Sequence, residues 1–127
     1  MSKLETPLTR AYWEKVGGTL VEEFYAVQSS STCGKRVIDG VIIRGGKKYI
    51  ARSGEVNLAG KDIIIVQTKA GRLGMYLMGQ AFFSAELMKR FKPASILSVA
   101  LCLKDDSVLR PIFESYPNMK VEVISCP

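Results

Sequence analysis

The chain has 127 residues with a net charge of +6, and 47% of them are hydrophobic, which suits one domain with a buried core and favours polyanionic partners such as nucleic acid. No run of about 18 apolar residues occurs and the amino terminus lacks the apolar stretch of a signal peptide, so we expect a cytoplasmic protein without a membrane partner. The chain contains no histidine, which excludes Ser-His-Asp triads and histidine metal sites and leaves carboxylates, lysine, hydroxyls and thiols for chemistry.

The first predicted element is a helix over residues 8–27, which begins after the start signal Thr6-Pro7. Apolar side chains recur there at helical spacing and form one face: Trp13, Val16, Leu20, Phe24 and Val27. The pair Gly17-Gly18 interrupts this face, and each glycine lowers helix stability by about 1 kcal/mol relative to alanine.

Three strands are predicted next. Residues 36–44 form the first strand, Gly45-Gly46 a turn, and residues 47–52 the second strand of a hairpin. Residues 62–69 form the third strand, which is apolar on both faces and is therefore predicted to lie in the centre of the sheet.

The second half of the chain alternates helices and strands. Residues 73–91 are predicted to form a helix that is apolar on most sides, as a buried helix would be, and that ends before Pro93. Strand 95–103, a short third helix ending near Ser115 and strand 120–125 complete the chain. This order predicts a single α/β domain with a mixed central sheet flanked by helices.

Polar residues interrupt two of the predicted strands. Asp39 lies within an apolar run, and Gln67-Thr68-Lys69 closes the third strand. A buried charge needs a partner, so Asp39 either pairs with a cation such as Arg36 or Lys69, or holds a divalent metal beside a scissile phosphate. Strand alternation places Gln67 and Lys69 on one face, which Asp39 reaches if the two strands are neighbours in register.

A site with carboxylates and a lysine contains the groups that can catalyse phosphodiester hydrolysis with a bound metal ion. Carboxylate oxygens bind Mg²⁺ or Mn²⁺, the metal activates water, and a lysine neutralises developing charge. For the second carboxylate, helical spacing places Glu23 at the border of the apolar face and Glu22 toward solvent, which favours Glu23. Glu55, in the connection before the third strand, is a reserve candidate.

The order α-β-β-β-α-β, with Asp in one strand and Gln-X-Lys at the end of the next long one, resembles the PD-(D/E)XK nuclease superfamily over roughly residues 8–103. That superfamily includes restriction endonucleases, archaeal Holliday junction resolvases and transposase endonuclease subunits. The resemblance implies a restriction endonuclease-like core and a DNA endonuclease that uses Mg²⁺ or Mn²⁺. In it Asp39 matches the metal-binding aspartate, Lys69 the catalytic lysine, Glu23 the glutamate of the first helix, and Gln80 a polar residue of the helix after the motif.

Gln67 departs from the superfamily pattern, which usually has Asp or Glu at this position. A glutamine oxygen can bind a metal, but it brings no charge and weakens the site. The alternative prediction is therefore a catalytically inactive nuclease-like domain that binds nucleic acid or a protein partner.

A third hypothesis is an assembly subunit whose apolar second helix packs against another chain. A homodimer is expected by analogy, since two sites are needed to cut both strands of a duplex at once.

Several further residues are candidates for nucleic-acid binding. Tyr76 and Gln80 lie four apart on one face of the second predicted helix, where simple packing is the alternative. Lys47 and Lys48 on the hairpin could contact phosphates, or could protect an edge strand from aggregation. Arg72 lies at the entry to the second helix, in a glycine-containing segment that lacks the Gly-Lys-Ser/Thr ending of a phosphate loop.

Overall fold

A computed structural model describes residues 3–125 of the chain. In order, its elements are α1 (Glu5–Val16), β1 (Thr19–Val27), β2 (Arg36–Ile43), β3 (Ile50–Ala51), β4 (Asp62–Arg72), α2 (Met75–Met88), β5 (Ser95–Lys104), α3 (Leu109–Glu114) and β6 (Met119–Val123). Short 3-10 turns at Ser53–Glu55 and Lys89–Phe91 follow β3 and α2. None of the helices in the described range is both long and apolar enough to cross a bilayer.

The strands form one mixed sheet in the order β3-β1-β2-β4-β5-β6. β2 runs antiparallel to both of its neighbours, β1 and β4, whereas β5 is parallel to β4 and β6 is parallel to β5. The central strand β4 is buried from Ile63 to Thr68 on both faces, as its continuous β-branched run predicts. The predicted α/β class with a mixed sheet flanked by helices is confirmed.

Helices cover both faces of the sheet. α1 packs on one face, where its side chains join a cluster with strand residues: Leu8, Tyr12, Trp13, Leu20, Ile42, Ile64, Val66, Val99 and Leu101. α2 packs on the opposite face through two adjoining clusters, the second of which also contains Phe113 of α3. The strands therefore place their side chains in two apolar cores, one on each face of the sheet.

The predicted helix over residues 8–27 is wrong beyond Val16. Gly17 and Gly18 both adopt positive φ, at 75° and 84°, and a Cβ on Gly18 would collide with the backbone carbonyl of Ile43. The chain therefore leaves the helix, and the β-branched and aromatic residues after it form β1. The apolar spacing that predicted a single helical face combined residues from two different elements.

The predicted hairpin over residues 36–52 is also wrong. β3 has only two residues and pairs in parallel with β1, at Leu20 opposite Ile50 and Val21 opposite Ala51. The reason is that β1 pairs with the edge of β2 that the hairpin strand would have used. The residues of β1 belong to the segment for which the sequence predicts a helix. The remaining predicted strands correspond to β2, β4, β5 and β6.

The second predicted helix corresponds to α2 and the turn after it, but it is not buried on most sides. One stripe packs on the sheet through Leu77, Ala81, Ser84, Ala85 and Met88. The other side exposes Met75, Tyr76 and Phe83, with 75%, 81% and 68% of their surface accessible. This helix therefore presents an apolar and aromatic face that is not covered by residues 3–125.

Candidate active site

Asp39 lies where the backbone pairing of β2 with β4 ends. The last paired residues are Gly40 and Val66, and beyond them the backbone N–H of Thr68 donates a hydrogen bond to Oδ2 of Asp39 at 2.9 Å. The side chain thus takes a donor that a strand carbonyl would otherwise satisfy, which holds the carboxylate at the junction of the two strands.

Strained backbone marks the same position on the neighbouring strand. Phe24 lies opposite Ile38 in the register of β1 and β2, so Glu23 lies opposite Asp39. Glu23 has a φ of 53°, in the left-handed region that side chains other than glycine rarely adopt. Backbone strain of this kind is concentrated at functional sites, so it supports a special role for this pair.

Both strands exchange faces at this pair. On a regular strand, residues four apart share a face. Leu20 nevertheless packs in the core beneath α1 whereas Phe24 packs in the core beneath α2, and Ile42 and Ile38 of β2 are divided in the same way. Glu23 and Asp39 lie at this exchange and belong to neither core, and this allows two carboxylates to occupy otherwise apolar strands.

The environment of Asp39 disfavours its negative charge. Burial raises the pKa of the Asp39 carboxyl above its ordinary value, and the negative charges of Glu5 and Glu23 raise it further, while the hydrogen bond from Thr68 opposes the shift. A bound cation would offset the burial of the Asp39 carboxylate and its repulsion by Glu5 and Glu23, so the site favours a positively charged ligand.

Asp39 opens into a cleft of about 560 Å³, which we call the Asp39 cleft. Its charged and polar lining comprises Glu5, Asp39, Thr68, Lys69, Arg72, Tyr76 and Gln80. The structure therefore brings Asp39 and Lys69 together as the sequence predicts, and it adds Arg72, Tyr76 and Gln80 from the end of β4 and the start of α2. Two carboxylates and two cationic side chains thus line one cleft, and groups of these kinds can bind a metal ion and a phosphate.

Glu5 is the carboxylate that sequence reasoning missed. It occupies the first position of α1, where a negative charge is favoured by the helix dipole. The signal was present in Thr6-Pro7, because proline is common in the first turn of a helix and therefore points to a start before residue 8. The predicted helix begins at residue 8 and therefore leaves Glu5 outside it.

The prediction of Glu23 as a carboxylate on the first helix is wrong about the element, because Glu23 lies in β1. Its side chain is exposed and does not line the Asp39 cleft, although its charge acts on Asp39. The other two candidates are engaged elsewhere. Glu22 accepts two hydrogen bonds from the guanidinium of Arg10, at 2.7 and 2.9 Å, and Glu55 accepts one from the backbone of Arg52 at 2.6 Å.

Gln67 is directed away from the Asp39 cleft. Its side chain is 5% exposed, and its Nε2 donates a hydrogen bond to Oγ of Ser84 on α2 at 2.8 Å. It lines a second cavity of about 610 Å³, which we call the Gln67 cavity. The prediction that Gln67 joins Asp39 and Lys69 in one site is therefore not met, because Gln67 lines a different cavity.

Tyr76 and Gln80 line both the Asp39 cleft and the Gln67 cavity, and both are exposed. They are not the packed tyrosine and satisfied glutamine of the alternative interpretation. Arg72 lines the cleft while its Nη1 donates to the backbone carbonyl of Asp105 at 2.6 Å, which fixes the guanidinium near the cleft wall.

Lys47 and Lys48 lie far from these residues. They follow the end of β2 that pairs with the start of β4, whereas Asp39 lies toward the other end of the same strands. Lys48 forms an ion pair with Glu14 at 2.8 Å, and the Lys47 amine lies 5.8 Å from the centre of the Tyr49 ring. Neither lysine lines the Asp39 cleft or the Gln67 cavity.

The described residues contain no group of three or more His, Cys, Asp or Glu side chains that could hold a metal ion. A magnesium site does not require one, because Mg²⁺ keeps several waters and is commonly bound by one or two carboxylates together with substrate phosphates. Asp39 and Glu5 fit that mode. Within residues 3–125 Oδ1 of Asp39 has no hydrogen-bonding partner, and no buried side-chain polar atom there lacks one, so Oδ1 is accessible to solvent.

Comparison with protein-family models, curated proteins and solved structures gives no match to this chain.

Proposed function

We propose that the protein is a metal-dependent DNA endonuclease that hydrolyses phosphodiester bonds in the Asp39 cleft, as a member of the PD-(D/E)XK superfamily. The observation that carries this proposal is the joint lining of one cleft by Glu5, Asp39 and Lys69. Two carboxylates can hold the metal ion and a lysine can offset the developing charge, so this set can support phosphodiester hydrolysis without histidine.

Asp39 and Glu5 are the residues that would hold Mg²⁺ or Mn²⁺. The bound ion would supply Lewis-acid activation of the phosphate and of water. Asp39 is suited to this role because the Thr68 N–H fixes one of its oxygens and leaves the other accessible. Glu5 approaches from a different element, α1, so the two carboxylates could act from two sides of one ion.

Lys69 and Arg72 would bind the scissile phosphate and offset the charge that develops on it. Both line the cleft and both are exposed at the end of β4, so a strand of DNA could reach them without a conformational change. Gln80 and Tyr76 would position the nucleotide, since an amide can donate to phosphate oxygens and a tyrosine can contact the sugar or base. The net charge of +6 supports association with DNA.

The proposal is tested by incubating plasmid, linear, single-stranded and branched DNA with the protein in Mg²⁺ or Mn²⁺. Cleavage should require the metal and should be lost on addition of EDTA and in Asp39→Asn, which keeps an acceptor for the Thr68 N–H. If Asp39→Asn cleaved DNA at the same rate as the wild type, hydrolysis could not take place in the Asp39 cleft as proposed.

The second candidate is a catalytically inactive nuclease-like domain that binds nucleic acid or a protein partner. The position of Gln67 favours it, because the amide bonds to Ser84 and β4 adds no carboxylate to the Asp39 cleft. This candidate requires salt-sensitive DNA binding without cleavage in any divalent metal.

A homodimer and a cytoplasmic location complete the proposal. No charged residue occurs in α2 from Met75 to Ala85, so this helix offers a neutral surface through which two copies of a basic chain could associate. Its exposed apolar side chains continue onto Ile112 and Tyr116 at α3, with 55% and 50% of their surface accessible. Sedimentation of the wild type as a dimer and of Ile112→Lys as a monomer would support this association, and a monomeric wild type would contradict it.

A further inference from the structure

The Gln67 cavity adjoins the Asp39 cleft along one face of α2. Tyr76, Gly79, Gln80 and Phe83 are spaced at i, i+3, i+4 and i+7, so they form one stripe of the helix, and all four line the cavity. Tyr76 and Gln80 also line the Asp39 cleft. The cavity therefore begins where the proposed phosphate site ends.

One wall of the cavity is a buried amide with unused hydrogen-bonding capacity. Gln67 is 5% exposed and donates from Nε2 to Ser84, but its Oε1 has no partner within residues 3–125. Because no buried side-chain polar atom in that range is unsatisfied, Oε1 must be accessible from the cavity that Gln67 lines. The Ser84 hydroxyl can donate or accept, so the amide can present either its oxygen or its NH₂ group to a ligand.

The opposite wall is aromatic and contains a gap. Tyr76 and Phe83 are 81% and 68% exposed, and they lie two turns apart, about 10 Å along the helix. Gly79 lies between them, and a Cβ there would meet no atom within 4 Å. A glycine inside a helix costs about 1 kcal/mol relative to alanine, and no close neighbour in the described chain requires it here. The gap leaves space for a flat group between the two rings.

We propose that the Gln67 cavity binds an unstacked nucleobase of the strand that is cut, so that the preferred substrates carry single-stranded or extrahelical nucleotides. Aromatic faces stack on any base, and a buried amide pairs with the donor and acceptor edge that an unpaired base exposes. A base in an intact duplex cannot reach such a cavity. This inference rests on the proposed function, since it takes the Asp39 cleft as the site of the adjoining phosphate.

The test uses a single-stranded oligonucleotide that contains 2-aminopurine, titrated in EDTA so that cleavage does not interfere. Phe83→Leu should weaken binding about 10-fold and abolish the fluorescence change of the probe, because it removes a stacking ring while keeping an apolar helix-forming residue. Phe82→Leu is the matched control, since Phe82 is the adjacent exposed aromatic residue and lines the groove toward α3 instead. It should bind as the wild type does.

Equal affinity of Phe83→Leu and Phe82→Leu for the single strand would overturn the inference, and so would equal affinity of the wild type for a fully paired duplex and for the single strand. Both readouts are independent of catalysis. A protein that binds unpaired bases through Phe83 but never cleaves would refute the proposed function alone, whereas cleavage without any role for Phe83 would refute the cavity alone.

Discussion

The backbone N–H of Thr68 and the carboxylate of Asp39 are joined by a 2.9 Å hydrogen bond at the point where β2 and β4 stop pairing. This bond holds Oδ2 and leaves Oδ1 accessible, so the carboxylate is fixed before any ligand binds. A fixed, partly buried carboxylate that lines one cleft together with a second carboxylate and a lysine is the centre of the proposed site.

Asp39→Asn should stabilise the protein at neutral pH, because burial raises the pKa of this carboxyl and the ionised form is therefore costly in the folded state. The folded protein binds the proton more tightly than the unfolded chain, whose aspartate pKa is about 3.9. Stability of the wild type therefore falls as the pH rises from about 4 through the folded-state pKa. Asparagine keeps the acceptor for Thr68 and removes this dependence.

The measurement is denaturant unfolding of the wild type and Asp39→Asn at a series of pH values. The difference in free energy of unfolding should grow as the pH rises through that window and then stay constant. A difference that is independent of pH would show that Asp39 titrates alike in the folded and unfolded states.

Divalent metal should stabilise the wild type through Asp39 and Glu5. At a free Mg²⁺ or Mn²⁺ concentration 100 times the dissociation constant, the free energy of unfolding should rise by about 2.7 kcal/mol. Glu5→Gln should reduce this gain and Asp39→Asn should abolish it, as measured by thermal unfolding with and without metal. Glu14→Gln is the control, because Glu14 also lies on α1 but pairs with Lys48 away from the cleft. An equal gain in all three variants would place the metal elsewhere.

Lys69→Met should lower the cleavage rate by about 10²–10³-fold, the usual effect of removing one group that offsets transition-state charge. Binding of DNA should change little, since most of the basic residues remain. Lys61→Met is the matched control, because Lys61 is an exposed lysine that precedes the opposite end of β4. Single-turnover cleavage separates the two effects, and an equal loss in both variants would mean that only the net charge matters.

Much of this arrangement was predictable from the sequence because it depends on local patterns. The β-branched runs predict β2 to within one residue and the start of β4, which continues to Arg72 beyond the predicted end at residue 69, and the adjacency of the two strands brings Asp39 beside Thr68. Strand alternation also predicts that Gln67 and Lys69 share the face of Asp39, but only Lys69 lines the Asp39 cleft. The proximity of Asp39 to the end of β4 can be predicted from the alternation of side chains along a strand and from the pairing of these two strands.

The predictions that were wrong concern features set by backbone conformation and by contacts between elements that are distant in the sequence. Gly17 and Gly18 end α1, and β1 follows. Because Leu20 and Phe24 continue the helical spacing of α1, the sequence predicts helix where β1 lies. The left-handed conformation of Glu23, and the rotation of Gln67 toward Ser84, are set by packing between elements and have no local signature.

Gln67→Glu distinguishes a decayed catalytic site from the present interpretation. If the glutamine had replaced a required ligand, the glutamate would increase cleavage. Because Gln67 is buried against Ser84 in the neighbouring cavity, we expect no gain in cleavage or metal affinity, and a loss of stability of about 1–3 kcal/mol from the buried charge.

Gln80→Glu is the matched substitution for this experiment, since Gln80 lines the Asp39 cleft and is exposed. It should raise the affinity for Mn²⁺ by adding a third carboxylate beside Asp39 and Glu5, as measured by calorimetry. Increased cleavage by Gln67→Glu would contradict the first expectation, and an unchanged Mn²⁺ affinity of Gln80→Glu would contradict the second.

The most direct test of the central claim is cleavage of single-stranded and plasmid DNA by the wild type and by Asp39→Asn, in Mg²⁺, in Mn²⁺ and in EDTA. The proposed function predicts metal-dependent cleavage by the wild type and a loss of at least about 100-fold in the variant. No cleavage by a folded wild type in either metal, or undiminished cleavage by Asp39→Asn, would contradict it.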